Sequence, residues 1–302
     1  MSHETAQKEK RSVALLSVLA AVGLTTFKLT IGLLTNSLGI LAEAAHSGLD
    51  LVAAAMTYFA VRVSDIPPDS NHPYGHGKVE NLSALFETLL LLLTSGWIIY
   101  EAIDRLFYHP ARVEASIWSF IVMGSSIIID INRSRMLSKA ARKFNSQALE
   151  ADALHFSTDI WSSAVVILGL VGITLVRFFP NLRWLESADS IAALVVAVIV
   201  IYVSGELGWR TIAALLDAAP KGLSNKIEKA ASNIRGVVDA HAVRLRPSGA
   251  HWFVDMHITM NGNCTLNEAH EATEKIETAI KALIPQADVT VHVEPEKSRS
   301  QK

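Results

Sequence analysis

Six long apolar segments alternate with short polar segments over the first two thirds of the chain. They cover residues 12–34, 38–63, 82–107, 117–131, 149–178 and 190–216. A helix needs about 20 mostly apolar residues to cross a bilayer, and these segments approach or exceed that length. Polar residues interrupt the second, fifth and sixth segments, which indicates helices facing the interior of a bundle. The pattern predicts an α-helical membrane protein with six transmembrane helices.

The pattern changes at residue 220 to that of a small globular domain. Residues 223–234 carry an apolar helical stripe, and residues 237–246, 254–260 and 289–294 are predicted strands. Thr265 and Glu268 have the spacing of a capping box that opens a second helix. The order α-β-β-α-β predicts a two-layer α+β unit, ferredoxin-like or metallochaperone-like, followed beyond Glu296 by a disordered tail. We therefore predict two domains, 1–219 and 220–302.

Composition narrows the class of protein. Half of the residues are hydrophobic and 19% are charged, against about 25% charged in ordinary soluble domains. The net charge of −2 argues against a nucleic-acid partner. Cys264 is the single cysteine, so the chain has neither an intrachain disulfide nor a cysteine-rich zinc site.

Basic residues concentrate in alternate polar segments, which predicts the orientation in the membrane. One side carries Lys8, Lys10, Arg11, Arg62, Lys78, Arg133, Arg135, Lys139, Arg142, Lys143, Arg210 and Lys221. The opposite side carries Arg105, Arg112, Arg177 and Arg183. Because cytoplasmic loops carry the excess of Lys and Arg, both termini are predicted to be cytoplasmic.

Two copies of one short pattern lie in the second and fifth apolar segments. His46 precedes Asp50 by four residues, and His155 precedes Asp159 by four. Each pair shares one helix face, and ionisable groups at bilayer depth usually mark an ion or proton pathway. Either pair alone could be a structural bond within its helix. Two matched pairs favour a site of two imidazoles and two carboxylates, which suits tetrahedral Zn²⁺.

The remaining candidate ligands lie outside the apolar segments. Asp69, His72 and His76 fall within eight residues of a turn-rich segment between the second and third spans. In the predicted tail strands, the two-residue period places His257, His292 and Glu294 on the faces away from the core. His241 and His270 can join them. Solvated surface histidines are the alternative for both groups.

These residues together resemble the cation diffusion facilitator family, in its zinc-transporting bacterial type, over nearly the whole chain. The segment from His72 to Glu80, His-Pro-Tyr-Gly-His-Gly-Lys-Val-Glu, is the most specific signature. The resemblance implies six transmembrane helices, a cytoplasmic metal-binding and dimerisation tail, and an integral protein of the bacterial inner membrane. It makes His46, Asp50, His155 and Asp159 the transport site.

The resemblance also implies roles for residues outside the bilayer. It implies a second zinc at Asp69, His72 and His76. It implies a zinc pair in the tail, held by His241, His257, His270, His292 and Glu294, where relatives usually have Asp at the last position. Lys78 and Asp217 correspond to a charge pair at the seam of a homodimer.

The function expected from these features is zinc efflux from the cytoplasm in exchange for protons. Zn²⁺ is then both the transported substrate and a bound structural or regulatory ion, and protons are the counter-ion. The chain has no Walker motif, so an ion gradient supplies the energy. The alternatives are an exporter with broader preference, for Cd²⁺, Fe²⁺ or Co²⁺, and a non-transporting membrane sensor or scaffold. An enzyme is not expected, because four protein ligands leave no open position on zinc.

Overall fold

The computed structural model describes residues 3–108, 116–178 and 185–296. Arg112, Arg183 and the tail predicted to be disordered lie outside these ranges, as do the side chains of Arg105 and Arg177. The chain divides into two compact units. One consists of Met1–Ile66 and Val79–Thr211, and the other of Pro67–Lys78 and Ile212–Lys302.

Six long helices occur within the described ranges, as the apolar segments predict. They are α1 (His3–Thr35), α2 (Leu38–Ser64), α3 (Lys78–Phe107), α4 (Ile117–Phe144), α5 (Gln147–Phe178) and α6 (Leu185–Leu215). In the described residues, four segments are long and apolar enough to span a membrane: Glu4–Thr35, Leu38–Ser64, Lys78–Asp104 and Ile191–Leu215. The predicted helical architecture of this part of the chain is therefore observed.

Helix α4 extends well beyond its predicted end at residue 131. Its second half is rich in Arg, Lys and Ala, which are good helix formers, so the helix continues after the apolar run has ended. It ends at Asn145, whose left-handed backbone (φ 50°) caps the C-terminus. The apolar length therefore underestimates this helix because helix propensity and hydrophobicity are different signals.

Small residues and paired charges hold the first unit together. Ala54, Ala140 and Ala153 lie in a core shared by α1, α2, α4 and α5, where small side chains allow close helix approach. The buried Lys10 Nζ on α1 lies 2.9 Å from Asp65 Oδ1 and 2.7 Å from Glu80 Oε1, at the end of α2 and the start of α3. Each of these buried charges thus has an oppositely charged partner.

The tail forms the predicted α+β fold. Its elements are α7 (Leu223–Ser232), β1 (Val237–Ser248), β2 (His251–Met260), α8 (Leu266–Leu283) and β3 (Ala287–Pro295). The sheet has the order β1-β2-β3, with β1 antiparallel and β3 parallel to β2. The predicted capping box of Thr265 and Glu268 opens α8. Alternate residues of β2 pack into the core beneath the helices, which leaves His257 on the other face.

Candidate metal centre

Two histidines and two aspartates of α2 and α5 come close together. His46 Nε2 lies 3.9 Å from Asp50 Oδ1 and 3.8 Å from Asp159 Oδ1. His155 Nε2 lies 3.2 Å from Asp50 Oδ1 and 3.6 Å from Asp159 Oδ2. Each imidazole nitrogen therefore faces a carboxylate of its own helix and one of the other helix. This alternating ring, which we call the tetrad, presents four ligand atoms of the kind that Zn²⁺ takes in tetrahedral sites.

The residues of the tetrad differ in how deeply they are buried. Asp50 and His155 are buried, and the His155 ring packs edge-on against Phe156. The side chain of His46 is 43% exposed within the chain. His46 is therefore the more accessible of the two imidazoles, while His155 and Asp50 lie in the packed interior.

A buried lysine close to the tetrad was missed by the sequence reasoning. Lys28 Nζ on α1 donates to Ser47 Oγ at 2.8 Å and lies 3.2 Å from Glu43 Oε2, both on α2. Ser47 follows His46 directly, so this ammonium group is bound to the part of α2 that carries His46. A lysine in the middle of an apolar span was the available signal, since such residues are rarely without a role.

The segment between α2 and α3 brings its three candidate ligands together. Asp69 Oδ1 lies 3.3 Å from His72 Nδ1, and Asp69 Oδ2 lies 3.5 Å from His76 Nε2. The backbone N–H groups of His72 and Asn71 donate to Asp69 at 2.7 and 2.9 Å, which lowers the pKa of the Asp69 carboxyl and keeps it ionised. We call this cluster the loop site.

Three histidines of the tail form a row across the sheet. His241 pairs with His257 in the β1–β2 register, and His257 pairs with His292 in the β2–β3 register. Glu294 Oε1 lies 2.9 Å from His257 Nδ1 and 3.9 Å from His292 Nε2, while its Oε2 lies 3.6 Å from His241 Nε2. The hydrogen bond from His257 lowers the pKa of the Glu294 carboxyl. We call this cluster the tail site.

His270 is not brought into the tail site within one chain. It lies on α8, its side chain is 70% exposed, and its Nε2 is 3.5 Å from Glu274 Oε1. The helical position therefore points it away from the row on the sheet. That His270 is a ligand of the tail zinc remains a prediction, because within one chain His270 does not lie near the other ligands.

Lys78 and Asp217, which the resemblance pairs at the seam of a homodimer, lie close together within one chain. Lys78 Nζ lies 2.8 Å from Asp217 Oδ1 and 3.4 Å from the carbonyl oxygen of Leu215. Asp217 has a left-handed backbone (φ 60°) just after α6, which turns its carboxylate back toward the end of the helix. The pair thus joins the loop to the segment that leads into the tail.

Models of two protein domains together cover most of the chain. The cation efflux transmembrane domain matches residues 14–216, and the cation efflux protein cytoplasmic domain matches residues 219–296. The chain belongs to the cation diffusion facilitator family. The cation-efflux pump FieF of Shewanella oneidensis is 30% identical over 280 residues, which is 92% of each chain. Metal tolerance protein C1 of Arabidopsis thaliana is 30% identical over 312 residues, covering 97% of this chain and 64% of its own.

Two solved structures match about a quarter of this cation diffusion facilitator. The zinc form of CzrB is 25% identical over 28% of this chain and 98% of its own, with a TM-score of 0.25. The C-terminal domain of MamM is 27% identical over 25% of this chain and 98% of its own, with a TM-score of 0.24. Membership of the family makes this chain an integral membrane protein and a transporter for divalent cation efflux.

We expect zinc bound at the tail site to depend on Glu294, because its carboxylate contacts all three histidines of the row. Replacing it with Gln removes the negative charge and nearly preserves the shape. Equilibrium dialysis of the Glu294→Gln full-length transporter should show fewer zinc ions per chain than the parent. Glu296→Gln, an exposed acid on the same end of the chain, is the matched control. An unchanged zinc count in Glu294→Gln would remove Glu294 from the ligand set.

The Lys78–Asp217 pair should show energetic coupling in transport. Reversing either charge leaves two like charges side by side, whereas exchanging both restores the attraction. We expect the double exchange, Lys78→Asp with Asp217→Lys, to retain more transport activity than either single reversal. Additive losses in this double-mutant cycle would show that the pair does not act as a unit.

Proposed function

We propose that this cation diffusion facilitator exports Zn²⁺ from the cytoplasm and imports protons in exchange, with the tetrad as its transport site. The observation that carries the proposal is the convergence of two imidazoles and two carboxylates between α2 and α5. Imidazole is the softer donor and favours Zn²⁺ over Mg²⁺, Ca²⁺ or Mn²⁺, which prefer oxygen ligands. The two carboxylates also carry two negative charges, which balance the +2 charge of Zn²⁺ and leave the loaded site neutral.

Proton exchange follows from the chemistry of the same four side chains. Zinc binds neutral imidazole and ionised carboxylate, so its arrival releases whatever protons these groups carry. Histidine is the side chain whose reference pKa, about 6.5, lies nearest to cellular pH. His46 and His155 are therefore the proposed carriers. Cation binding from one side and protonation from the other then exclude each other at the tetrad.

The assembly that we propose is a homodimer in a bacterial inner membrane, with both termini and the tail in the cytoplasm. The support for this orientation is the excess of basic residues in the N-terminal, α2–α3 and α4–α5 segments. The match to the cytoplasmic domain of cation efflux proteins agrees with it. In this arrangement the loop site and the tail site bind zinc on the side from which the cargo is taken.

Other divalent cations are candidates for the same site. Half of its donors are carboxylates, and affinity for nitrogen and oxygen ligands rises along the first-row series through Fe²⁺, Co²⁺ and Ni²⁺. The tetrad therefore binds these ions to some degree, together with Cd²⁺. Zinc is proposed as the main substrate because the alternating ring of two His and two Asp suits four-coordinate geometry.

The proposal is tested by metal flux in vesicles that contain the purified protein and carry an imposed pH gradient. We expect zinc to move against the protons and faster than Mn²⁺ in a panel with Cd²⁺, Co²⁺ and Fe²⁺. Vesicles with Asp50→Asn, which keeps the side-chain shape but lacks the charge, are the control. A zinc flux that does not change with the pH gradient would contradict the proposed exchange for protons. Equal zinc flux in the parental and Asp50→Asn vesicles would contradict the assignment of the tetrad as the transport site.

A further inference from the structure

The loop site lies on a segment that is attached to the tail sheet by an aromatic stack. The guanidinium carbon of Arg246, on β1, lies 3.7 Å from the centre of the Tyr74 ring. The Tyr74 ring in turn meets Phe253, on β2, edge to face with 5.0 Å between the ring centres. Arg246 also lies 5.3 Å from the Phe253 ring. One cation therefore covers two aromatic rings, one from the loop and one from the sheet.

Arg246 has no acidic partner in residues 3–108, 116–178 and 185–296. No carboxylate in that part of the chain lies within ion-pair distance of its guanidinium, and its buried Nε atom makes no hydrogen bond there. Arg244, two residues earlier on the same strand, is exposed. The side chain of Arg246 is thus used for its flat cationic surface against Tyr74 rather than for a salt bridge.

A second attachment follows three residues after Tyr74. A methyl group added at Gly77 would overlap the carbonyl group of Ser248, the last residue of β1. Gly249, with φ +59°, would place such a group 2.8 Å from the carbonyl oxygen of Gly77. The two backbones therefore touch at a point where neither residue can carry a side chain without a shift.

The two attachments enclose one ligand of the loop site. His76 lies between Tyr74 and Gly77 in sequence, and only 12% of its side chain is exposed. His72 and Asp69, which precede both attachments, are 57% and 47% exposed. The stretch from residue 67 to residue 77 has no helix or strand of its own. Contact with the sheet therefore holds His76 in place. The two more exposed ligands, His72 and Asp69, complete the loop site around His76.

We propose that Arg246 is a positioning residue for a divalent cation at the loop site, acting through Tyr74 on His76. The tail sheet then supplies part of the loop site without contributing a ligand. Groups that orient a ligand typically change metal affinity by 10- to 100-fold when they are removed. This inference rests on the proposed metal binding at the loop site and is independent of transport through the tetrad.

The test measures zinc affinity at the loop site of the full-length protein. A His155→Ala/His257→Ala background weakens the tetrad and the tail site, and Asp69→Ala in that background identifies the zinc that belongs to the loop. We expect Arg246→Ala to weaken this zinc by about tenfold or more. Arg246→Lys, which keeps the cation but not the flat surface, should recover part of the affinity. Arg244→Ala is the matched control and should bind as the background does.

Tyr74→Leu and Tyr74→Phe separate positioning from folding of the tail. Neither substitution lies in the sheet, and only Tyr74→Leu removes the ring that Arg246 covers. We therefore expect Tyr74→Leu to weaken zinc binding as much as Arg246→Ala does. Tyr74→Phe should bind zinc with the affinity of the background. Unaltered zinc affinity in both Arg246→Ala and Tyr74→Leu would overturn the positioning role alone. A background that binds no more zinc than its Asp69→Ala variant would overturn the loop site itself, and the positioning role with it.

Discussion

Zinc flux is expected to disappear when either His46 or Asp159 is replaced by alanine. Each substitution removes one of four ligands, and the neighbouring groups cannot move into its place because α2 and α5 fix them on opposite sides of the ring. Loss of an outer partner of a metal ligand costs about 10- to 100-fold, so loss of a ligand should exceed about 100-fold. The measurement is initial zinc uptake into vesicles that contain equal amounts of folded protein.

Thr158→Val is the matched control for this experiment. Thr158 precedes Asp159 on α5, and its hydroxyl donates within the helix to the carbonyl oxygen of Leu154. Valine keeps the shape and removes only that bond, so we expect flux close to the parental value. Saturable zinc transport at a near-parental rate in His46→Ala or Asp159→Ala would show that the transport site is elsewhere.

The second large effect is on the pH dependence of zinc binding. We expect apparent zinc affinity to fall as pH is lowered from about 7.5 to about 5.5, across the reference imidazole pKa. The sign follows because protonated imidazole cannot bind metal, so each proton that zinc must displace weakens binding by about tenfold per pH unit below that pKa. Zinc titrations of the full-length protein at several pH values provide the measurement.

A double variant tests whether the histidines carry this dependence. With His46→Asp and His155→Asp the tetrad contains only carboxylates, whose reference pKa of about 3.9 lies below the pH range used. The affinity should then be nearly flat with pH, and the preference should shift toward harder ions such as Mn²⁺. A steep pH dependence that persists in the double variant would assign the protons to other groups. A pH dye should record proton movement opposite to zinc in the parent.

Sequence was sufficient for features that depend on local pattern. The long helices follow from apolar length, and the capping box and the burial of β2 follow from spacing of a few residues. The pairing of Lys78 with Asp217 was implied by the resemblance, and the two residues do meet. Such features depend on residues close together in one helix or strand, or on a sequence motif that is characteristic of the family.

Features that depend on contacts between distant elements were not predictable in the same way. The burial of Lys28 against α2 requires knowledge of which helix faces it. The stack of Arg246 on Tyr74 joins residues far apart in sequence that carry no shared motif. The resemblance implied that His270 is a tail ligand, and this stays a prediction, because the position of α8 relative to the row of histidines on the sheet depends on packing. In each case the packing of elements determines the outcome, and no local period encodes it.

The buried lysine at the start of α1 constrains how the protein can be made. Lys10 and Arg11 both contact Asp65, so this cluster holds two cations and one anion until the third helix is made. Glu80, which pairs with Lys10 at 2.7 Å, is synthesised only with the third helix. Since an unpaired charge is costly when it is buried among packed helices, we expect this end of α1 to stay solvated until α3 arrives. Biogenesis of the bundle thus has an order in which the third helix completes the burial of the first.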